Sequence, residues 1–217
     1  MFGRFLVAEG PDGAGKTSHM LPMAEHLRSR GYTVVVSREP GGTPIGEEIR
    51  KVIFLDDMHW RCEALLFAAA RAQHVEQLIK PRLKEGCVVI SDRFADSSYA
   101  YQGTGRGHEA EVLQLEQFVL GGFQPDYTLY FDVSLETSIK RLAWRTSIDT
   151  SQDNRLDREL IAFKQRVFDG YQQRLLKHTD RMVRIDAEPD MMTVRASLIN
   201  WLDQQFIPNN PLKEIQP

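Results

Sequence analysis

Cysteine is scarce in this chain of 217 residues, with Cys62 and Cys87 the only two. Two thiols build neither a disulfide framework nor a four-cysteine metal site, so both are expected to be ordinary buried thiols of a reducing compartment. Long apolar runs are missing as well. The longest, Ala64 to Ala70, falls well short of a membrane span of ~20 residues. Phe5 to Ala8 is too short for the apolar region of a secretory signal before it meets Glu9 and Gly10. Excess charge of one sign is also lacking: 27 Lys and Arg against 30 Asp and Glu leave a net −3. That balance argues against nucleic acid as a partner. His19, His59, His74 and His108 show no metal-ligand spacing, so structural or surface roles are expected for them. There is no repeat and no low-complexity segment. What is present is a globular composition, 42% hydrophobic and 26% charged, which excludes disorder and collagen-like architectures. One domain over 1–217 is expected, in a cytoplasmic protein without a membrane segment.

Alternation of element types carries the fold reading. Phe5–Ala8, Tyr32–Val36, Cys87–Ile90, Tyr127–Phe131 and Met182–Ile185 read as short apolar strands. Between them, Lys16–Arg28, Trp60–Ile79, Leu135–Trp144, Leu160–Leu176 and Met191–Leu202 read as helices, with Pro81 kinking or ending the second. Strand–helix alternation with apolar strands predicts an α/β domain with a parallel sheet covered on both faces. Sites on such sheets lie at the carboxyl ends of the strands. Thr146–Asn154 is almost devoid of apolar residues and is expected to be a mobile loop between helices, within a lid of about 142–158. The tail, 208–217, is expected to fray.

The segment Gly10-Pro11-Asp12-Gly13-Ala14-Gly15-Lys16-Thr17 fits G-x-x-x-x-G-K-[ST] directly after the first strand and opening the first helix. Glycines let successive backbone N–H groups face phosphate oxygens, with a helix N-terminus behind them. Lys16 then reaches the β- and γ-phosphates of ATP, and the Thr17 hydroxyl ligates Mg2+. Ser18 completes this ATP-binding segment. Nucleotide binding leaves two classes open, a switch or motor ATPase and a kinase for a small acceptor. No Asn-Lys-x-Asp base-reading motif is present, and a kinase predicts arginines after other strands to neutralise two polyanions. Arg38 and Arg93 meet that condition, with Asp92 placed to hold Mg2+ partly through water. Alone, each arginine reads as a solvated strand end.

The strings Arg38-Glu39-Pro40-Gly41-Gly42-Thr43, Leu66-Phe67-Ala68-Ala69-Ala70-Arg71, Ser91-Asp92-Arg93-Phe94 and Ala100-Tyr101-Gln102-Gly103 strongly resemble the thymidylate kinase (dTMP kinase) family over nearly the whole chain. The resemblance implies transfer of the γ-phosphate of ATP to dTMP, giving dTDP. Other nucleotide or nucleoside kinases of the same fold, and a non-catalytic nucleotide switch, are the competing readings. It further implies strand order 2-3-1-4-5 in a three-layer P-loop nucleoside monophosphate kinase fold, and a homodimer packed through long helices. On family grounds Phe67 stacks on thymine and Arg71, one turn on, reads its edge; spacing alone would leave Phe67 a core residue. Ser98 and Gln102 fall near the base, Ser97 belongs to the same dTMP site, and Tyr101 crowds the sugar 2′ position. Asp12 falls on the 3′-hydroxyl side, Arg38 and Arg93 hold the dTMP phosphate, and Glu39 and Pro40 belong to the dTMP site.

Some members carry an arginine in the phosphate loop at the position of Gly13; this chain resembles the type whose lid supplies the basic groups. From Lys140 to Arg166 the chain has seven basic residues and four acids, +3 in a protein of −3. A charge run is usually a solvated face, but basic loops that close over ATP exclude water and complete such sites. Arg155 and Arg158 are expected at the phosphates as catalytic groups with Lys16 and Arg93. Arg141 and Arg145 are expected at the adenine, near Asp186–Pro189.

Overall fold

Each strand of the sheet is a short apolar run, and β1 shows why. In this computed structural model, which describes residues 3–148 and 155–209, β1 (Arg4–Glu9) sends Leu6 and Ala8 to one face and Phe5 and Val7 to the other. All four are buried, so a two-residue period meets helices on both sides and no polar face remains. The strands β2 (Val34–Arg38), β3 (Val88–Asp92), β4 (Tyr127–Asp132) and β5 (Met182–Asp186) pair with it in parallel, in the order β2-β3-β1-β4-β5. This is the expected topology. Ala8 and Arg38 both align with Asp92, and the register therefore delivers the phosphate loop, Asp92 and Arg38 to one edge.

One helical layer contains α1 (Lys16–Ser29), whose Met20, Met23, Ala24 and Leu27 pack against Leu6, Ile90 and Phe131. Next in the chain come α2 (Pro44–Ile53), capped by the Thr43 side chain on Gly46 N, and α3 (Trp60–His74). The polypeptide stays helical through a π-helical turn, Val75–Ile79, into α4 (Lys80–Lys84). Pro81 therefore does not end the helix at Ile79. It falls in the first turn of α4, where a missing N–H is tolerated, and the wider π turn precedes it.

After β3 come α5 (Ala95–Ser98), a π-helical stretch Tyr99–Gly105 and α6 (Glu109–Leu120). Together with α2, these escaped the reading of hydrophobic spacing. Then α7 (Leu135–Ile148) follows β4 and α8 (Ile161–Lys177) precedes β5. The helix α7 runs to Ile148, so Thr146–Ile148 are helical rather than loop; 149–154 lie outside the described residues. Helix α9 (Met191–Trp201), a π turn Leu202–Phe206 and α10 (Ile207–Asn209) close the described chain on the α1 side. Pro208 and Asn209 are thus helical, and 210–217 are not described. Of the two cysteines only Cys87 is buried; Cys62 is exposed on α3, because its helix position faces away from the core. No helix among the described residues is long and apolar enough to cross a membrane.

Candidate active site

At the carboxyl ends of β1, β2 and β3 the chain lines a cavity of about 1140 Å³. Single small-ligand sites run about 300–1,000 Å³, so there is room for two nucleotides. Gly10, Gly13 and Gly15 all adopt positive φ (144°, 81° and 89°) and wrap the loop into the start of α1. Gly13 has a second constraint: a β-carbon there would collide with the Ser138 carbonyl of α7. A side chain at this position, arginine included, would therefore require the loop or the start of α7 to shift. Asp12 through Ser18 line the cavity, while Gly10 and Pro11 give their carbonyls to Lys16 Nζ, each at 2.8 Å. Burial, together with the nearby Arg93 guanidinium, lowers the Lys16 ammonium to about 8.

Thr17 Oγ1 donates to Asp92 Oδ2 at 2.6 Å, so the two expected metal ligands meet at the cavity wall. The donor set is two hard oxygens, suited to a small divalent cation that takes its remaining ligands from water and phosphates. Among the described residues no cluster of three or more His, Cys, Asp or Glu could hold a metal.

Arg93 follows β3 with φ 74° and is the hub of the site. Its Nη2 donates to Asp12 Oδ1 at 2.5 Å and its Nη1 to Ser97 Oγ at 2.9 Å and Tyr171 Oη at 3.1 Å. The Tyr101 hydroxyl donates to Asp12 Oδ2 at 2.7 Å. Burial would raise Asp12, but Arg93 and Lys16 outweigh it and hold the carboxyl at about 2. Below lies Glu9, fully buried, which accepts from Phe94 N, Ser97 N, Ser97 Oγ and Tyr171 Oη. Its own burial, reinforced by Asp96, raises its pKa.

Arg38, Glu39, Pro40, Phe67, Arg93, Ser97, Tyr101 and Gln102 all line the cavity. Arg38 is exposed and paired with Glu47 at 3.0 Å. Glu39 faces inward, taking Arg71 Nε at 2.8 Å and His74 Nδ1 at 3.0 Å. Arg71 also donates to the Phe94 carbonyl. Arg71 and Ser98 line a separate void of about 10 Å³, with Gln102 in the wall between the two spaces. At the other end Arg141 is tied to the carbonyls of Ala187, Glu188 and Pro189 at 2.8–3.1 Å. Arg145, Trp144 and Met191 line the cavity beside it.

A thymidylate kinase family model matches residues 8–198. The chain is 42% identical to a thymidylate kinase of Bacillus velezensis, covering 100% of both chains. It is 45% identical to one of Cupriavidus necator, over 91% of this chain and 97% of that one. An Exiguobacterium thymidylate kinase is 38% identical over 93% and 94%.

The chain belongs to the thymidylate kinase family.

Within this family member, the lid arginines divide. Arg141 and Arg145 stand at the cavity. Arg155 instead pairs with Glu63 at 2.8 Å and donates to the Ile53 carbonyl, and Arg158 pairs with Asp56 at 2.7 Å. The structure therefore does not bring Arg155 and Arg158 together with the phosphate loop. Sequence reasoning missed Arg50, Phe54, Trp144, Leu156 and Met191 in the cavity wall. Trp144, 69% exposed, carried a signal: a large aromatic one helical turn after Arg141 faces the same way.

Proposed function

We propose that this chain is an ATP-dependent kinase that transfers the γ-phosphate to dTMP, with Lys16 and Arg93 as the central cations. One observation carries the reading: the phosphate loop and the Phe67–Tyr101–Gln102 wall share one cavity large enough for donor and acceptor nucleotides. Lys16 leaves the Gly10 and Pro11 carbonyls for the β- and γ-phosphates, while the N–H groups of Gly13–Ser18 cradle them. Trp144, Arg141 and Pro189 bracket the adenine. Arg38, Arg50 and Arg93 grip the dTMP phosphate, Phe67 stacks on the base, and Gln102 meets its polar edge, backed by Arg71 and Ser98 in the wall behind it. Tyr101 and Asp12 lie against the sugar. The acceptor phosphate is already ionised at neutral pH, so positioning and charge neutralisation carry the rate and no strong base is needed. Thr17 and Asp92 hold Mg2+, which when bound neutralises charge on the transferred phosphates. Of the lid cations, Arg145 has the placement for the transferring group, and Arg155 and Arg158 reach it only by leaving their carboxylates.

Exposed Leu65 on α3 and Phe118 on α6 support a homodimer formed through these helices. The two free cysteines support a cytoplasmic setting. The kinase reading is tested by ADP release with a panel of nucleoside monophosphates. Turnover is expected with dTMP far above dUMP or GMP. The reverse order sinks the acceptor assignment, and no turnover with any acceptor leaves a nucleotide switch.

A further inference from the structure

Glu63 takes no part in the chemistry above, yet its side chain is 0% exposed. A carboxylate so placed is stable only when paired and hydrogen-bonded. Its partners come from separate parts of the chain. Oε1 accepts from Gln102 Nε2 at 2.8 Å, and Oε2 forms an ion pair with Arg155 at 2.8 Å and accepts from Arg106 at 3.2 Å. Gln102 belongs to the base end of the cavity, Arg155 to the return arm of the lid, and Arg106 follows the π turn that bears Tyr101 and Gln102.

The rest of the return arm repeats the pattern. Asp157 pairs with Arg145 at 2.9 Å, Arg158 with Asp56 at 2.7 Å and Glu159 with Arg106 at 2.5 Å. Between these pairs Leu156 turns inward, lines the cavity and packs in one cluster with Tyr101 and Phe67. Residues 155–159 thus roof the acceptor end, and Glu63 is their deepest anchor. Because a carboxylate only accepts, it also takes the NH2 of Gln102 and fixes which way that amide points.

We propose that Glu63 is a positioning residue that locks the lid's return arm and the Gln102 amide into one unit, so that the roof and base wall of the dTMP pocket are set together. The proposal rests on the dTMP kinase reading. If the unaltered protein does not turn over dTMP, that reading fails; the behaviour of Glu63 variants in a working enzyme decides only this proposal.

The test is steady-state kinetics of Glu63→Gln, Arg155→Gln and the double variant, with thermal melting alongside. Glu63→Gln is expected to raise the dTMP KM about tenfold, with kcat within about threefold and the ATP KM within about twofold. Arg155→Gln should raise the dTMP KM similarly, and the double variant should add little more, since both changes break one unit. An unchanged dTMP KM with only a lower melting temperature makes Glu63 structural and overturns the proposal, as do additive effects. A loss of kcat at unchanged dTMP KM in Arg155→Gln overturns it too, placing Arg155 on the transferring phosphate. Glu63→Asp, which keeps the charge, should hold the dTMP KM within about threefold of the unaltered enzyme; a full tenfold rise there overturns the role of the charge. If Glu63→Gln does not fold, Glu63→Asp and Arg155→Gln carry the same decision.

Discussion

Asp12 and Asp96 lie on neighbouring parts of the molecule and face the same chemistry, yet they serve opposite ends. Each meets two cations, and each carboxyl is held at about 2 against the burial that would raise it. For Asp96 the cations are Arg181 and Arg174, at 2.9 and 2.5 Å, and its side chain is 1% exposed. The triad ties α5 to α8 and to the entrance of β5, and none of its members lines the cavity. Asp12 is 28% exposed, and its cations Arg93 and Lys16 are cavity-wall groups. Water-excluded pairing makes Asp96 a fixed strut, whereas partial exposure leaves the Asp12 cations free to exchange a carboxylate for a phosphate at small cost.

The largest expected effect comes from breaking the strut. Asp96→Asn should cost about 3–5 kcal/mol in urea unfolding, because two buried guanidinium groups lose their counter-charge. A loss under ~1 kcal/mol would erase the distinction. Lys16→Ala tests the other side. It should lower kcat by about 10²–10³-fold, as loss of a preorganised transition-state cation does, while dTMP binding measured by calorimetry stays within about threefold. Loss of dTMP affinity with intact turnover would contradict the assigned role. Asp12→Asn should cost only about 1 kcal/mol of stability, since the Asp12 side chain is 28% exposed and Arg93 keeps the Ser97 and Tyr171 hydroxyls as partners. Both carboxyls sit below their ordinary value of about 3.9. Their contribution to stability is therefore complete above about pH 4 and is lost as pH falls toward 2.

The smallest effect is on pH dependence. Lys16 is lowered to about 8, so kcat/KM for ATP should decline as pH rises past about 8, where the free enzyme loses that cation. A profile flat to about pH 9.5 would mean that the ammonium holds its proton.

Much of the phosphate end was legible in residue order, because its parts are local. Gly10 to Thr17 form one turn, and strand ends placed Arg38, Asp92 and Arg93 beside it. At the base end Phe67 and Arg71 came only through family likeness, since their spacing is that of any buried helix face. Helix α6 was missed because its apolar residues show weak helical periodicity, and α2 because its strongly amphipathic pattern spans only ten residues directly after a motif already read as phosphate-binding loop. The lid arginines could not be apportioned from sequence. Arg141, Arg145, Arg155 and Arg158 are alike in type, and each is assigned by a distant partner: Ala187, Asp157, Glu63 and Asp56 respectively.

By itself, then, the sequence determined the alternating α/β order, the phosphate loop and the arginines at the strand ends, all set by short-range stereochemistry and hydrophobic period. Only the tertiary structure decided which carboxylate each long cation meets, and so which charges brace the fold and which face the cavity. A guanidinium on a flexible stem has many possible partners, and burial selects among them across separations of up to about a hundred residues.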